Sequence, residues 1–265
     1  MDALAQFKQN AKEGWALFTP TEMATAAVAP RLVQFAGITP GARVLDVGCG
    51  TGVVALTAAR LGARSTGVDL TPALLERARE NAAIMRLDVD WREGDAEDLP
   101  FEDAEFDFVV SQFGHMFAPQ PALAVREMLR VLKPTGTIAF STWPPELAVG
   151  KFFALIGKYA PPPPPGTSPP YLWGDPNVVR DRLGKAVKDV FFDRDVMRFQ
   201  TLSVQHQRLF LEANVGPVAK LVQTLSAADP GKLEAFRAEF EELLSGYFED
   251  NTLKQDYLLT RAVKL

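Results

Sequence analysis

The chain has 265 residues, a net charge of −5 and a pI of about 5.2, with 47% hydrophobic and 23% charged residues. This composition is typical of a soluble globular protein, and its acidic balance argues against a nucleic-acid partner, which would need a basic surface. One cysteine and two histidines exclude an intramolecular disulfide and argue against a zinc centre. No apolar run reaches the length of about 18 residues that a membrane span needs, and the N-terminal residues lack a basic–apolar signal pattern, so we expect a cytoplasmic protein.

The first 36 residues predict two amphipathic helices that pack on the rest of the chain as a flap. Residues Thr19-Pro20-Thr21 interrupt the apolar pattern and mark the start of the second helix. Trp15 and Phe18 lie just before this break. They belong either to the packed interior of the flap or to the wall of a cofactor pocket, so both residues are candidates for that pocket.

A short aliphatic strand then runs into a glycine-rich loop, Gly48-Cys49-Gly50-Thr51-Gly52, and a helix from about residue 51 to 61 follows. Glycine lets the main chain approach a ligand closely, and a helix N-terminus offers free N–H groups and a positive dipole end. This pattern predicts a nucleotide-type cofactor loop. It does not exclude NAD, because the residues from Gly50 to Ala55 satisfy the looser G-x-G-x-x-A form.

Strands and helices alternate after the loop, which predicts a doubly wound, Rossmann-like and mostly parallel sheet. The predicted strands are 65–70, 89–94, 106–112 and 137–142, and the predicted helices are 73–85 and 121–132. Asp69 lies at the tip of the second strand. A carboxylate there can accept hydrogen bonds from the two ribose hydroxyls of a nucleotide.

Five blocks between residues 40 and 143 together resemble the class I S-adenosylmethionine-dependent methyltransferases. The blocks are the loop at 44–52, Asp69, the Gly94-Asp95 turn, residues 106–111 and residues 130–136. Within this family the sequence is similar to the branch with the ubiquinone/menaquinone-biosynthesis C-methyltransferases and many small-molecule methyltransferases. Thr135 departs from the pattern because the family usually has glycine there, but the position lies at a helix end, remote from the cofactor loop.

The resemblance implies S-adenosylmethionine as the cofactor and assigns a role to each block. The residues implied to contact the cofactor are Asp46, Gly48, Cys49 and Gly50 at its methionine end, with Gly52 completing the loop, Asp69 at the ribose, Leu70, Asp95 and Ala96 at the adenine, and Ser111 and Phe113 on the pocket wall. Cys49 is expected to be a small filler rather than a nucleophile.

The C-terminal part predicts a second set of elements. A proline-rich segment at 161–170 predicts a stiff crossing loop, and residues 187–200 and 257–265 predict strands. The resemblance places the last strand antiparallel in a seven-stranded sheet, beside 187–200. The Rossmann-like domain would thus comprise residues 37–202 and 251–265, with a helical insert at 203–250.

The insert carries an apolar stripe that includes Leu233, Phe236 and Phe240 at helical spacing. Such a stripe usually faces a protein core. Because ligands bind at the carboxyl edge of open α/β sheets, the insert can also roof an acceptor pocket, with Tyr171 and Trp173 as aromatic walls.

These observations predict in-line methyl transfer to a small-molecule acceptor, without a metal. A base is needed only if the acceptor must lose a proton. His115, three residues past the fourth strand, is the candidate base, although it also fits a simple pocket wall. The fourth strand lacks the Asn-Pro-Pro-aromatic signature of amino-group methylation on nucleic-acid bases, which favours a small acceptor.

Two other functions remain open at this point. An NAD-dependent oxidoreductase would share the glycine loop and Asp69, but it leaves the Asp95 turn and the block at 130–136 unexplained. A non-catalytic regulatory protein that binds the cofactor would keep the same motifs. The sequence does not identify the acceptor or the methylated atom, and a homo-oligomer is possible.

Overall fold

The computed structural model describes residues 3–265, and a mixed sheet forms its centre. Its strands are β1 (Arg43–Val47), β2 (Arg64–Asp69), β3 (Asp90–Glu93), β4 (Phe106–Gln112), β5 (Leu132–Thr142), β6 (Val187–Gln200), β7 (Phe248–Glu249) and β8 (Thr252–Lys264). The α-helices are α1 (Ala3–Trp15), α2 (Glu22–Ala36), α3 (Val53–Arg60), α4 (Pro72–Met85), α5 (Pro121–Val131), α6 (Ala148–Tyr159), α7 (Pro176–Leu183), α8 (Val204–Asn214), α9 (Gly216–Ala228) and α10 (Pro230–Ser245).

The strand order is β3-β2-β1-β4-β5-β8-β6, and the short β7 pairs with β8. Strands β1 to β5 pair in parallel, whereas β8 lies antiparallel between β5 and β6. The predicted Rossmann-like fold with an antiparallel last strand is therefore confirmed. A parallel sheet collects the carboxyl ends of its strands at one edge, and this edge positions the site described below.

Three elements differ from the sequence prediction. Strand β5 begins at Leu132 rather than at residue 137, and its pairing with β4 shifts register between Phe106 and Phe108. Strand β8 begins at Thr252, five residues earlier than predicted, because it pairs with β6 far beyond the end of β5. The helix α6 was not predicted.

The N-terminal region contains α1 and α2, separated by a 3₁₀ turn at Thr19–Thr21 as predicted. Residues 1 and 2 of the predicted flap lie outside the described residues. Helix α2 buries Leu32 and Val33 in the main core. Helix α1 buries no side chain, but it crosses α9 where Gly14 and Gly216 meet, so closely that a Cβ on Gly216 would lie 2.4 Å from the Gly14 Cα.

The helices α8 to α10 form a second core with α6, distinct from the core of the sheet. Phe236 and Phe240 of α10 are fully buried, and the Phe240 ring stacks on Phe152 of α6 at 4.6 Å between centroids. The apolar stripe of α10 thus faces a core. The division of the chain into flap, Rossmann-like domain and insert stays a prediction.

Thr135 has a φ of 63°, in the left-handed region, and it is exposed. A β-branched residue is costly there, by about 1–2 kcal/mol, whereas glycine tolerates this conformation at an entropic cost of about 0.5–1 kcal/mol. We expect Thr135→Gly to raise the free energy of unfolding in urea by about 0.5–1 kcal/mol.

The matched control for that substitution is Thr137→Gly, which removes the same side chain from an ordinary position in β5. We expect Thr137→Gly to destabilise the protein, because glycine weakens a strand interior. Equal losses of stability in the two variants would show that Thr135 is not strained.

Candidate functional site

A cavity of about 240 Å³ opens at the carboxyl edge of the sheet, between the glycine loop and the helical elements α1, α6 and α8. We divide its wall into two parts. The cofactor end comprises residues at and just after the carboxyl ends of β1, β2 and β3, with Lys8 of α1, and the acceptor end comprises residues of α6, β6, β8, α8 and the α8–α9 junction together with Trp143. Of the predicted site residues, those on the cavity wall are Trp15, Phe18, Asp46, Gly48, Cys49, Gly50, Asp69, Leu70, Asp95, Ala96 and Phe113.

Asp46 lies at the end of β1 and is 1% exposed. Its Oδ2 accepts a hydrogen bond from the Ala55 N–H at 3.1 Å, whereas its Oδ1 is buried with no partner among residues 3–265. Burial raises the pKa of Asp46 to about 7, and the charge of Asp69 adds to this rise while the Ala55 bond opposes it. A buried carboxylate with a free acceptor suits a ligand that brings a positive charge or a hydrogen-bond donor.

Asp69 lies at the end of β2, as predicted, and two backbone N–H groups fix its carboxylate. Its Oδ2 accepts from the Gly50 N–H and its Oδ1 from the Thr71 N–H, each at 2.8 Å. Burial raises its pKa, and these backbone bonds oppose the rise. Each carboxylate oxygen has a second lone pair, so Asp69 can still accept two hydrogen bonds from a ligand on the cavity side.

The glycine loop offers fewer N–H groups than the sequence suggested. The N–H groups of Gly48 and Cys49 both donate to the Val68 carbonyl, at 2.8 and 3.0 Å, and that of Gly50 donates to Asp69. These bonds hold the loop against β2. The N–H groups of residues 48–50 are therefore not free for a ligand, and the Cys49 carbonyl already accepts from the Gly52 N–H at 2.9 Å.

The glycine loop also touches the turn after β4. A Cβ on Gly48 would lie 2.8 Å from the Gly114 Cα, and a Cβ on Gly114 would lie 2.4 Å from the Gly48 carbonyl oxygen. The neighbouring Phe113 has a φ of 60°, which is strained for a bulky residue, and its ring stacks on Trp143 at 3.8 Å. The close approach of the two turns thus requires glycine on both sides.

Asp95 and Ala96 follow β3 on the cavity wall, and α1 reaches them through Lys8. The Lys8 ammonium bonds Asp95 Oδ2 and Glu97 Oε2, each at 2.6 Å. Burial alone would lower the pKa of Lys8, but the bonds to these two carboxylates raise it above its ordinary value. A ligand at Asp95 must therefore share that carboxylate with Lys8. The sequence analysis did not predict Lys8 as a site residue.

Gly52 and Ser111 do not lie on the cavity wall. Gly52 has a φ of 85°, and a Cβ there would meet the Trp91 ring at 2.4 Å, so it serves the packing of the loop on β3. The fully buried Ser111 hydroxyl donates to the Val47 carbonyl at 2.6 Å and accepts from the His115 N–H at 3.0 Å. Ser111 therefore joins β4 to β1 from beneath the cavity.

Cys49 lies on the cavity wall but is 5% exposed. Burial raises the pKa of its thiol well above the ordinary value, and the charges of Asp69 and Asp46 add to this effect. The thiol stays protonated at neutral pH, which agrees with a role as a small filler.

The structure does not bring His115 to the cavity, contrary to the prediction of a base there. The bond of its backbone N–H to Ser111 begins a 3₁₀ turn that points the imidazole into the core, 4.5 Å from the Phe140 ring and 4.6 Å from the Trp173 ring. It is 1% exposed, and neither ring nitrogen has a partner among the described residues. Burial lowers its pKa to about 3, with a further contribution from the charge of Arg182.

This burial predicts a specific pH dependence of stability. The pKa of His115 is lower in the folded state than the value of about 6.5 expected when unfolded, so the unfolded chain binds more protons between pH 3 and 6.5. As the pH falls through this range, His115 therefore lowers the free energy of unfolding by up to about 1.4 kcal/mol per pH unit. We expect His115→Leu to flatten this part of the acid-unfolding curve, measured by urea titration at several pH values. An unchanged difference between pH 7 and pH 4 would contradict the buried, neutral imidazole.

The acceptor end of the cavity is apolar. Its wall consists of aromatic and aliphatic side chains and one carboxamide, namely Trp143, Val149, Phe152, Phe153, Met197, Phe199, Leu211, Val215 and Gln255. Phe117, after β4, connects the two ends, since its ring lies 4.5 Å from Trp15 and 5.5 Å from Phe153.

The structure places only some of the residues of the predicted roof and walls at the cavity. Leu211 and Val215 of the insert lie on the cavity wall, but Tyr171 and Trp173 do not. Trp173 is 1% exposed and packs beneath the cavity against His115 and Phe140. The aromatic walls come instead from Trp143 and α6.

Several residues of the cavity wall were not predicted from the sequence, for identifiable reasons. Gly114 lies two residues after β4, and a glycine at a strand end is a signal of a close approach of main chains. Lys8 and Gln255 carry no local signal, because they reach the site through contacts across long stretches of sequence.

Comparison with known proteins places this geometry in context. Residues 45–140 match the model of a methyltransferase domain family. An uncharacterized protein of Mycobacterium tuberculosis is 37% identical over 260 residues, which cover 94% of this chain and 92% of the relative. The demethylmenaquinone methyltransferase of Staphylococcus aureus is 40% identical over 138 residues, covering 50% of this chain and 56% of that protein. Among solved structures, the Haemonchus contortus phosphoethanolamine N-methyltransferase 2 in complex with S-adenosyl-L-methionine has a TM-score of 0.56 at 19% identity, covering 89% of this chain and 52% of that one.

Proposed function

Since this chain belongs to the class I S-adenosylmethionine-dependent methyltransferases, whose cofactor is S-adenosylmethionine, we propose that it transfers the cofactor's methyl group in line to a small-molecule acceptor. The observation that carries the proposal is the division of one cavity into an end with three carboxylates and an end with aromatic walls.

No helix among residues 3–265 has the length and apolar character to cross a bilayer.

The residues of the cofactor end fit the chemical groups of this cofactor. The two remaining lone pairs of the Asp69 carboxylate suit a pair of vicinal ribose hydroxyls. The unpartnered Oδ1 of Asp46, beside residues 48–50 of the glycine loop, suits the positively charged methionine end. Leu70 would pack on the adenine, with Asp95 and the main chain of Ala96 at its edge.

When bound, the cofactor supplies a methyl group that its sulfonium has already activated. The chain therefore has to align the acceptor and exclude water. The rings of Phe113, Phe117 and Trp143 line the passage between the two ends and suit this purpose. With His115 in the core, the described cavity wall has no histidine to act as a base, so the chain would contribute alignment and the exclusion of bulk water, and the proton of an uncharged acceptor would leave to solvent after the methyl transfer.

The helix α1 would serve as a cover over the cofactor end. It has no buried side chains, and Lys8 binds Asp95 and Glu97 while Lys12 forms an ion pair with Glu93. The ring of Trp15 at the end of α1 also contacts Phe117, 4.5 Å between centroids, so these contacts hold α1 over the cofactor end.

Two measurements test the proposed function. Calorimetry should show binding of S-adenosylmethionine and S-adenosylhomocysteine, and none of NADH. A metabolite extract incubated with the protein and trideuteromethyl-labelled S-adenosylmethionine should then yield a product that carries the label.

The alternatives predict different outcomes. Binding of NADH without S-adenosylmethionine would indicate an oxidoreductase. Tight binding of S-adenosylmethionine without any labelled product, across extracts that support known methyltransferases, would favour a non-catalytic regulator.

A further inference from the structure

The antiparallel pair β6–β8 extends past the sheet edge and forms one wall of the acceptor end. The last residue of β5 that pairs with β8 is Thr142, opposite Leu258, whereas β6 and β8 stay paired as far as Gln200 and Thr252. Gln255 lies in this extension, three residues beyond Leu258 and opposite Met197. It therefore stands above the carboxyl edge, on the cavity wall.

The Gln255 side chain lies in a largely enclosed part of the wall, but its carboxamide nitrogen and oxygen are not fully buried and stay accessible from the cavity. The residue is 8% exposed, and its side chain makes no hydrogen bond to any residue of the described range 3–265. Its N–H groups and its oxygen are therefore a free donor and a free acceptor that face the cavity. A ligand hydroxyl or carbonyl in the cavity would supply the missing partner.

The charges on the cavity wall all belong to the cofactor end. Among the described wall residues they are Lys8, Asp46, Asp69 and Asp95, and Lys8 is paired with Asp95. A charged acceptor would thus enter this pocket without a counter-ion: an anion gains no compensation there, and a cation gains only the faces of the aromatic rings against a large desolvation cost. The wall has a second carboxamide, Gln112, whose Nε2 donates to the Thr25 carbonyl at 2.8 Å and whose Oε1 has no partner among the described residues. Gln112 lies on β4, whereas Gln255 stands among the aromatic side chains of the acceptor end and has both polar atoms free.

We propose that the acceptor is an uncharged molecule with an apolar, aromatic-sized body and a single hydroxyl or carbonyl group, which the Gln255 carboxamide binds. This inference rests on the proposed function and specifies its substrate class. The rings of Trp143, Phe152 and Phe153 hold the body, and Gln255 fixes its orientation relative to the cofactor end.

Four bicyclic probes of matched shape test the charge selection: 2-naphthol, naphthalene, 2-naphthoate and the naphthalen-2-ylmethylammonium ion. Equilibrium dialysis against the full chain saturated with S-adenosylhomocysteine measures their affinities, and this neutral thioether provides no sulfonium to attract an anion. We expect 2-naphthol to bind at least about ten-fold more tightly than either ion. An ion that binds as tightly as 2-naphthol, or the absence of measurable 2-naphthol binding, would overturn the proposal.

The role of Gln255 is tested by the ratio of the affinities for 2-naphthol and naphthalene. In the wild type we expect 2-naphthol to bind about five- to ten-fold more tightly than naphthalene, as one hydrogen bond provides. Gln255→Leu should abolish this preference while naphthalene binding stays, whereas a merely structural role would weaken both probes alike. The control Gln205→Leu changes an exposed glutamine of α8 and should retain the preference. If S-adenosylhomocysteine itself does not bind, the proposed function fails; if it binds and the ions compete equally, only this inference fails.

Discussion

Asp69→Ala is expected to weaken the binding of S-adenosylhomocysteine by about 10²- to 10⁴-fold. The substitution removes the acceptor of two charge-assisted hydrogen bonds, each worth about 1.5–3 kcal/mol, and every 1.4 kcal/mol is a factor of about ten. It also frees the N–H groups of Gly50 and Thr71, which Asp69 now fixes, so part of the loss arises from a looser glycine loop. Calorimetry with the purified variant measures the effect.

Two further variants separate these contributions. Asp98→Ala removes an exposed acid from the loop after β3 that does not line the cavity, and it should bind the ligand like the wild type. Asp69→Asn keeps one oxygen acceptor but loses the charge, and we expect an intermediate affinity. If Asp69→Ala binds S-adenosylhomocysteine as tightly as Asp98→Ala does, the ribose assignment is wrong.

The cofactor end was largely predictable because its signals are local in sequence. A buried aliphatic strand followed by glycines fixes where β1 ends, and Asp69 ends the next strand of the same repeating unit. In a parallel sheet, the carboxyl ends of adjacent strands lie side by side, so Asp46 and Asp69 had to meet. Local spacing alone sufficed to bring them to one cavity.

The remaining site residues depend on contacts that no local pattern encodes. His115 stands near the end of β4, but its orientation follows from the bond of its N–H to Ser111 and from the aromatic space beside Phe140. Gln255 reaches the cavity only because β8 continues its pairing with β6 beyond the sheet. Periodicity identified those strands, but it did not reveal how far they extend.

The glycine loop provides the second large expected effect, on stability. Gly48 and Gly50 both have positive φ, 65° and 55°, but only Gly48 is crowded. Gly48→Ala would bring its Cβ within 2.8 Å of the Gly114 Cα, so the turn after β4 has to move, whereas a Cβ on Gly50 meets nothing within 4 Å. Left-handed backbone costs a non-glycine residue about 1–2 kcal/mol, and overpacking adds about 1–3 kcal/mol.

We therefore expect Gly48→Ala to lower the free energy of unfolding by about 2–5 kcal/mol and Gly50→Ala by about 1–2 kcal/mol, measured by urea denaturation without ligand. The difference between the two variants isolates the collision from the backbone strain that they share. Displacement of the β4 turn in Gly48→Ala also moves Phe113, whose ring stacks on Trp143 at the junction of the two cavity ends. The stabilisation of this variant by S-adenosylhomocysteine, seen as a rise in melting temperature, should consequently disappear. Equal losses of stability in the two variants would show that the turns after β1 and β4 are not in close contact, and the described packing of Gly48 on Gly114 would be wrong.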